Sequence, residues 1–362
     1  MYIARIISLQ VRGGAPTAWC RGLERQRKRS EVPSRACCKK GRVVVCRLQS
    51  AVVRCAWFTL WREPMRFLYA EAMIDPNLWL PLAQAVEEAG FDGMTVPDSL
   101  CYPEVSDSTY PYTVDGRREF LEDKPFLDPF TQIAAMGAVT TTLRFVVFVL
   151  KLPIRHPVIV AKQSSSVAVL TQGRLELGVG TSPWPDDYRV TGVPWKGRGK
   201  RMNACIDILR GLWTGDYYQY DSELFQIESI KICPVPQNPI PLLIGGHSEA
   251  ALKRAARVGD GWLHGGGDTR ELPRMVKRLM DLRETYDRSE VPFDICVISP
   301  QAFTADGIYE LEEAGVTSVV VGFRNAYAME QDTQSLQQKV DAMHFYAEHV
   351  IRPFKGSPST TP

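Results

Sequence analysis

The sequence predicts an α/β protein whose main domain, residues 65–362, is a (β/α)8 TIM barrel with loops inserted at its C-terminal face. Short apolar runs alternate with amphipathic stretches along this region, a rhythm typical of parallel strands covered by helices on both faces. Eight such units fit into its 298 residues, which is the size of one barrel. A doubly wound open sheet is the alternative, but it usually carries a glycine-rich nucleotide fingerprint after its first strand, and none follows Glu71.

The individual elements are predicted from apolar runs of four to eight residues and from the helical spacing between them. The strand candidates, in chain order, are Arg66–Glu71, Gly93–Pro97, Arg144–Leu150, Arg174–Gly180, Pro241–Gly245, Gly261–His264, Phe293–Ser299 and Ser318–Phe323. Several helical stretches end in a glycine, as helix C-termini often do; these glycines are Gly90, Gly173, Gly215 and Gly259. Two stretches, Cys101–Lys124 and Tyr217–Pro239, interrupt the rhythm, and we expect them to be excursions at or across the C-terminal face.

Residues 1–64 differ from the rest of the chain in composition. They hold 14 Lys and Arg but only 3 Asp and Glu, together with five of the nine cysteines, and show no sustained hydrophobic period. An Arg-rich, acid-poor segment could be an organelle transit peptide or a basic arm for nucleic acid. Alternatively, translation begins at Met65, where a strand-like pattern starts at once. We expect this basic extension to be disordered or a wrongly assigned start, with no packed core.

The composition of the remaining chain excludes several classes of partner. Its 29 Lys and Arg against 38 Asp and Glu argue against a nucleic acid partner. No apolar run approaches the roughly 18 residues that span a bilayer, so we expect no membrane partner. The absence of a CxxC pair indicates a reduced, cytoplasmic protein. The five histidines lack metal-ligand spacing, so we predict no metal site.

The stretch "RLELGVGTSPWP", Arg174 to Pro185, places a Gly-x-Gly at the end of the fourth strand. A Rossmann fingerprint needs a further Gly or Ala three residues beyond the second glycine, where this chain has Pro183, and the lysine of a P-loop is also missing. We therefore interpret Gly178 and Gly180 as positions where small residues let another molecule or another part of the backbone come close.

The stretch "IPLLIGGHSEAALKRAARVGDGW" is the better candidate for binding phosphate. Its strand ends in Gly245 and Gly246, and Ser248 can cap the helix that begins at Glu249. Free backbone N–H groups and the positive end of the helix dipole favour an anion there, and the glycines allow its close approach. The simpler alternative is a tight turn with an ordinary helix cap.

Two polar residues at strand ends are the catalytic candidates. Asp98 follows the second strand, in the position where barrel enzymes carry catalytic groups. In "KLPIRHP", His156 stands just before a helix that begins at Pro157, and it could titrate or donate to a ligand. Capping a turn or helix is the alternative role for both residues.

Four segments of this chain together resemble a known protein family. They are "MRFLYAEAM", "AQAVEEAGFDGMTVPDS", the run from "LRFVVFVLKLPIRHP" to "GVPWKGRGKRM", and "PLLIGGHSEAALKRAARVGDGW". In this order they resemble the bacterial-luciferase-like flavin superfamily, and most closely its branch that uses the deazaflavin coenzyme F420. The resemblance runs from Met65 to about Val321. It implies a (β/α)8 barrel that binds a flavin-type ring at its C-terminal mouth, and it implies self-association as a homodimer.

The resemblance also implies three groups of cofactor-binding residues: a non-prolyl cis-peptide bulge under the ring, the rim of the mouth, and a phosphate-binding loop. The matching residues are, in that order, Val147, Phe148 and Val149; Gly180, Thr181 and Ser182; and Gly245, Gly246 and His247. Asp98 matches a position that faces the ring. Two departures stand out, because Ser99 and Pro183 replace the histidine and glutamate of the sugar-phosphate dehydrogenases in this branch. Their substrate is therefore not expected here.

From this resemblance we expect an F420-dependent oxidoreductase that transfers hydride between the coenzyme and a small, apolar organic substrate. Aromatic side chains in two loops predict a lid over that substrate; they are Tyr102, Tyr110, Tyr112 and Trp184. An FMN-dependent monooxygenase is the first alternative, and a non-catalytic flavin-binding barrel is the second.

Overall fold

Eight parallel strands close into a barrel in this computed structural model, which describes residues 64–356 except 107, 111, 112, 114 and 268. The strands are β1 (Arg66–Ala70), β2 (Gly93–Val96), β3 (Arg144–Val147), β4 (Leu175–Gly180), β5 (Leu242–Gly245), β6 (Gly261–His264), β7 (Asp294–Ile298) and β8 (Ser318–Val321). Each strand pairs with its neighbours in chain order, and β1 pairs with β8, which closes the circle. The predicted (β/α)8 barrel is therefore confirmed. The predicted basic extension lies outside the described residues, apart from its last residue.

At least one helix follows every strand and packs on the outside of the barrel. The helices are α1 (Trp79–Glu88), α2 (Pro129–Ala138), α3 (Pro157–Leu170), α4 (Pro185–Val190), α5 (Arg198–Trp213), α6 (Glu249–Val258), α7 (Leu272–Thr285), α8 (Ala305–Glu313), α9 (Leu336–Tyr346) and α10 (Arg352–Gly356). A π-helical turn, Ala347–Ile351, joins α9 to α10. Most of the buried apolar side chains lie between the strands and these helices. None of the helices within the described residues is long and apolar enough to cross a bilayer.

The barrel interior is filled by a small apolar cluster from six of the eight strands. It consists of Leu68, Val146, Leu243, Leu263, Cys296 and Val320, each at most 2% exposed. Alternate residues of a strand point to opposite faces, so the neighbours Leu242, Ile244 and Trp262 face the helices and belong to the outer cluster. This alternation determines which strand-end side chains point into the mouth.

A charged cluster occupies the N-terminal end of the barrel. The Arg66 guanidinium contacts the carboxylates of Glu176 and Asp294, and Arg144 also contacts Glu176. Burial alone would raise the pKa of Glu176, but the two guanidinium groups lower it below its usual value. These paired charges fill the bottom of the barrel, so a ligand of the barrel is accommodated at the opposite, C-terminal end.

The two insertions differ in position. Residues 97–128 follow β2, and their described part contains only one short helical turn, Glu119–Leu121, so they extend over the C-terminal face as expected. The second insertion forms an antiparallel hairpin of Tyr218–Asp221 and Gln226–Ile230, which begins where α5 ends, at the other end of the barrel. It packs along the outer helices and reaches the C-terminal rim only with its turn, where Phe225 meets His156.

Candidate active site

The end of β3 forms a bulge at the barrel mouth. The peptide bond between Phe148 and Val149 is cis, although Val149 is not a proline, and it lies within the segment where the resemblance implied such a bond. The Phe148 N–H donates to the carbonyl of Val96 on β2, at 2.8 Å. The chain then resumes extended pairing at Leu150–Lys151, against the end of β4. The predicted strand Arg144–Leu150 is thus shorter, because the bulge interrupts it after Val147.

Three glycines make room for this bulge. A Cβ atom placed on Gly178 would lie 2.0 Å from the carbonyl oxygen of Val147. Cβ atoms on Gly180 and Gly245 would lie 2.8 and 3.0 Å from the two Cγ atoms of Val149. The half-buried Val149 side chain therefore lies between two glycines that end β4 and β5. Of the two interpretations of the Gly-x-Gly, the structure supports the close approach of another part of the backbone.

Asp98 is bound on both carboxylate oxygens by its neighbours. Arg155 donates to both of them, at 2.8 and 2.9 Å, and the backbone N–H of Lys151 donates to one, at 2.9 Å. The Asp98 side chain is 1% exposed. These contacts tie the loop after β2 to the segment after the bulge. They describe a positioning residue, because both carboxylate oxygens already accept hydrogen bonds from neighbouring groups. The catalytic role expected for Asp98 from the sequence stays a prediction that these contacts disfavour.

A buried cation next to the bulge was missed by the sequence reasoning. The Lys151 ammonium lies 3.0 Å from Asp187 on α4, and it lies 5.3 Å from the ring centroid of Trp184. Ser182, with a positive φ of 58°, donates its hydroxyl to the same carboxylate. Ser182 thus serves the Asp187 carboxylate in this structure. A lysine directly after a buried apolar strand was the available signal.

The loops after β5 and β6 bring two histidines together. The rings of His247 and His264 stack with centroids 4.4 Å apart and planes 20° apart. No motif in the sequence links these two histidines, but the carboxyl ends of neighbouring parallel strands meet at one edge. Gly246 adopts a positive φ of 116°, and its carbonyl accepts a hydrogen bond from the Trp262 indole at 2.9 Å. The glycine loop and the histidine pair are therefore one structural unit.

Burial governs the protonation of this pair. It lowers the pKa of His247. The pKa of His264 falls to about 4, because burial and the neighbouring His247 lower it by more than a hydrogen bond with the Ile298 backbone raises it. Both imidazoles are consequently neutral near pH 7, and each then offers one N–H donor and one acceptor nitrogen.

Aromatic side chains from separate loops meet above the mouth. The ring of Tyr110 lies 5.3 Å from Phe120 and 5.4 Å from Trp184, between centroids. Tyr327, from the loop after β8, contacts both Tyr110 and Phe120 and was missed from the sequence. Tyr102 instead packs under the guanidinium of Arg118. The expected Tyr112 lies outside the described residues.

The remaining expected residues lie apart from this unit or use their backbone. His156 is exposed, and its ring packs edge-on against Phe225, 6.0 Å away. Its side chain makes no hydrogen bond with Asp98 or Lys151. Thr181 accepts a hydrogen bond from the Tyr188 hydroxyl through its carbonyl oxygen. Among the described residues there is no group of three or more His, Cys, Asp or Glu that could hold a metal ion.

The family model described as luciferase-like monooxygenase matches residues 53–349. The chain belongs to the luciferase-like monooxygenase family.

Relatives of this luciferase-like protein include both uncharacterized and F420-dependent proteins. An uncharacterized protein of Mycobacterium tuberculosis is 55% identical over 287 residues, which cover 79% of this chain and 99% of the relative. An F420-dependent glucose-6-phosphate dehydrogenase of Nakamurella multipartita is 29% identical over 210 residues, covering 56% and 57%. Among solved structures, an F420-dependent secondary alcohol dehydrogenase in complex with an F420–acetone adduct has the same fold. Its TM-score is 0.64 at 14% identity, over 80% of this chain and 99% of that one.

Proposed function

We propose that this luciferase-like protein is an F420-dependent oxidoreductase, which transfers hydride between the deazaflavin coenzyme and a small organic substrate with an apolar or aromatic body. The observation that supports it most directly is the bulge, because Val149 offers a half-buried apolar surface between two glycines at the mouth of the barrel. The F420-dependent relatives with this fold add support. When bound, the deazaflavin ring supplies the hydride chemistry.

The residues at the mouth fit such a cofactor in two respects. A flat ring needs an apolar surface without side chains that rise above it, and Gly180 and Gly245 carry no side chain next to Val149. A phosphate tail needs hydrogen-bond donors, and Nε2 of His247 is buried without a partner beside the Gly246 loop. Phe148, Thr181 and Ser182 stay proposed ring and rim residues.

The chain's own groups determine how a substrate is held. The indole nitrogen of Trp184 is buried without a partner, and the Lys151 ammonium lies beside that ring. Both are N–H donors, so they favour a substrate that presents an acceptor oxygen. The aromatic lid excludes water, which strengthens these electrostatic contacts. Asp98 holds Arg155 and the segment after the bulge in place.

An FMN-dependent monooxygenase is the second candidate, because the family model is described as luciferase-like monooxygenase. A monooxygenase needs a flavin that reacts with oxygen, which a deazaflavin does not do, so the bound cofactor separates the two functions. We further propose that the protein is cytoplasmic, since its described cysteines are free thiols, and that it forms the homodimer that the resemblance implies.

The deciding experiment is a titration of the purified protein with F420 and with FMN, following ring fluorescence. We expect F420 to bind at micromolar concentration and FMN to bind much more weakly. Micromolar FMN binding without a response to F420 would reverse the assignment. Tight F420 binding without hydride exchange on a panel of alcohols, ketones and enones would instead favour a non-catalytic binding protein.

A variant pair tests whether the bulge carries the binding. Val149→Ala removes two methyl groups from the proposed ring surface, so F420 affinity should fall about tenfold, as expected for about 1–2 kcal/mol of lost apolar contact. Val169→Ala, on the exposed side of α3, is the matched control and should leave the affinity unchanged. Equal affinities of the two variants would contradict the proposed ring position.

A further inference from the structure

Lys151 and Val149 lie on the same inward face of the segment that follows the bulge. Val149 packs against the apolar cluster inside the barrel, whereas Leu150 belongs to the outer cluster between the strands and the helices. Because alternate residues of an extended segment point to opposite faces, Lys151 shares the face of Val149, about 7 Å further along the chain. A molecule that lies on Val149 is therefore within reach of the Lys151 side chain.

The Lys151 ammonium has hydrogen-bonding capacity left over. It lies 3.1 and 3.0 Å from the two oxygens of Asp187, its one hydrogen-bonding partner among the described residues. An ammonium carries three N–H donors, and these two contacts use at most two of them. Asp187 also accepts a hydrogen bond from the hydroxyl of Ser182. At least one N–H of Lys151 is therefore available to a further acceptor, on a side chain that is only 11% exposed.

A second buried donor lies next to this ammonium. The indole nitrogen of Trp184 has no hydrogen-bond partner among the described residues, and Trp184 is 3% exposed. The backbone N–H of Trp184 donates to Ser182 at 3.0 Å, so the same serine holds both Trp184 and Asp187. Buried donors are nearly always satisfied in folded proteins. Two unsatisfied donors on neighbouring side chains therefore indicate that an acceptor oxygen of a ligand completes them.

The charges around Lys151 balance, which decides the kind of oxygen that fits. Asp187 neutralises Lys151, and Asp186 on the same helix pairs with Arg189. Cys101, in the loop after β2, also lies close to Asp187. Burial, and then the Asp187 charge, raises the pKa of the Cys101 thiol, so it is neutral near pH 7. A carboxylate ligand would lack a counter-ion here, whereas an uncharged carbonyl oxygen needs none.

We propose that Lys151 is the proton donor of the reaction, and that the substrate is an uncharged carbonyl compound whose oxygen binds the Lys151 ammonium and the Trp184 indole. This rests on the proposed function, because the hydride comes from the reduced deazaflavin. The carbonyl carbon gains the hydride with its electron pair, the C=O π bond breaks, and the oxygen takes a proton from Nζ of Lys151. The carbonyl is thereby reduced to an alcohol and the deazaflavin is oxidised. Water carries the ring proton that this oxidation releases back to the neutral amine.

Binding of 4-nitrophenol tests the oxygen site without any cofactor. Its coloured phenolate carries an oxyanion on an aromatic body, as the reacting carbonyl oxygen does in the transition state. Bound to the full-length protein, the phenol should have a pKa about one unit or more lower than in solution, because a nearby ammonium favours the anion. The double variant Lys151→Met/Asp187→Leu removes both charges and should abolish this shift. An equal shift in the double variant, an unshifted phenol, or no binding to the wild type would overturn the oxygen site.

Lys151→Arg separates proton donation from charge. Arginine keeps a positive charge beside Asp187, so the protein should stay folded and the pKa shift of the bound phenol should remain. A guanidinium does not give up its proton in proteins. Ketone reduction with reduced F420 should therefore slow about 100-fold or more, the usual contribution of general acid catalysis. A smaller loss would overturn the proton transfer. The matched control is Lys277→Arg, which changes an exposed lysine paired with Asp281 at 2.9 Å and should behave like the wild type.

The pH profile is a readout that a merely structural lysine would not move. Ketone reduction by the wild type should slow on the alkaline side as Lys151 loses its proton, and this decline should disappear in Lys151→Arg. Three other titratable groups lie close to Lys151: the carboxylates of Asp98 and Asp187 and the thiol of Cys101. Carboxylates titrate well below neutral pH, so Cys101→Ser completes the test. A decline that disappears in Cys101→Ser, or persists in Lys151→Arg, would contradict the assignment.

Failure of the proposed function has a different signature. If F420 does not bind while the phenol shift depends on Lys151, the cofactor assignment and the proton transfer are both wrong, and only the oxygen site stands. If F420 supports ketone reduction but Lys151→Arg is as active as the wild type, the proposed function stands and the role of Lys151 as proton donor is wrong.

Discussion

Replacing Gly178 by alanine tests whether β4 carries glycine to accommodate the bulge of β3. The new Cβ would lie 2.0 Å from the Val147 carbonyl oxygen and 2.5 Å from Cδ1 of Leu263. Ordinary carbon–oxygen contacts are about 3.3 Å or longer, so the β3 backbone must move by about 1.3 Å. Overpacking commonly costs about 1–3 kcal/mol, and a backbone atom cannot swing away as a side chain does. We therefore expect a loss of at least about 3 kcal/mol.

Thermal unfolding followed by circular dichroism provides the measurement, with Gly199→Ala as the control. A loss of about 3 kcal/mol corresponds to a fall in Tm of about 5 °C in a domain of about 300 residues. Gly199 lies in α5, and its new Cβ would meet only the flexible Arg254 guanidinium, at 3.3 Å. Alanine is favoured over glycine in helices, so this control should keep or raise the Tm. Equal Tm values for wild type and Gly178→Ala would refute the reasoning.

Three further predictions follow from buried charges. The free energy of unfolding should fall by up to about 3 kcal/mol as the pH drops from about 6.5 to 4, because His264 is protonated in the unfolded chain before it is protonated in the folded protein. Urea titrations at pH 7 and 4.5 should show a smaller pH effect in His264→Phe than in the wild type. An identical pH effect in the two proteins would contradict this prediction. Lys151→Met should destabilise the protein by about 3–5 kcal/mol, because the Asp187 side chain, which is 1% exposed, loses its counter-ion. The double variant Lys151→Met/Asp187→Leu should recover part of this stability, and a double variant without any recovery would contradict the proposed cause. Arg155→Met should weaken F420 binding without changing the pH profile of turnover, since Asp98 only positions the mouth. A shifted pH profile would contradict this and would indicate that Asp98 handles a proton.

Much of the fold follows from local sequence patterns. All eight strands were predicted within a few residues, because apolar runs and helix-ending glycines depend on neighbours along the chain. The hairpin of the second insertion was not predicted, and neither was its course along the outer helices. Its short strands, Tyr218–Asp221 and Gln226–Ile230, carry a mixed pattern and pack against residues far away in sequence.

The candidate site was only partly predictable. The position of the bulge was implied by resemblance, whereas the partners of Asp98 required the folded chain, since Arg155 is 57 residues away. Lys151 and Tyr327 carry no motif that marks them. Their proximity to the mouth results from how loops after different strands converge there.

The sequence by itself determined the barrel and its order of elements, since hydrophobic periodicity is a local property that survives without tertiary contacts. Only the tertiary structure decided what Gly178 and Gly180 are for, and it assigned them to a neighbouring strand of the same chain. It also joined His247 to His264, which the sequence separates by 17 residues. The physical reason is closure of the barrel, which brings the ends of separate strands to one edge and sets burial, charge and spacing there.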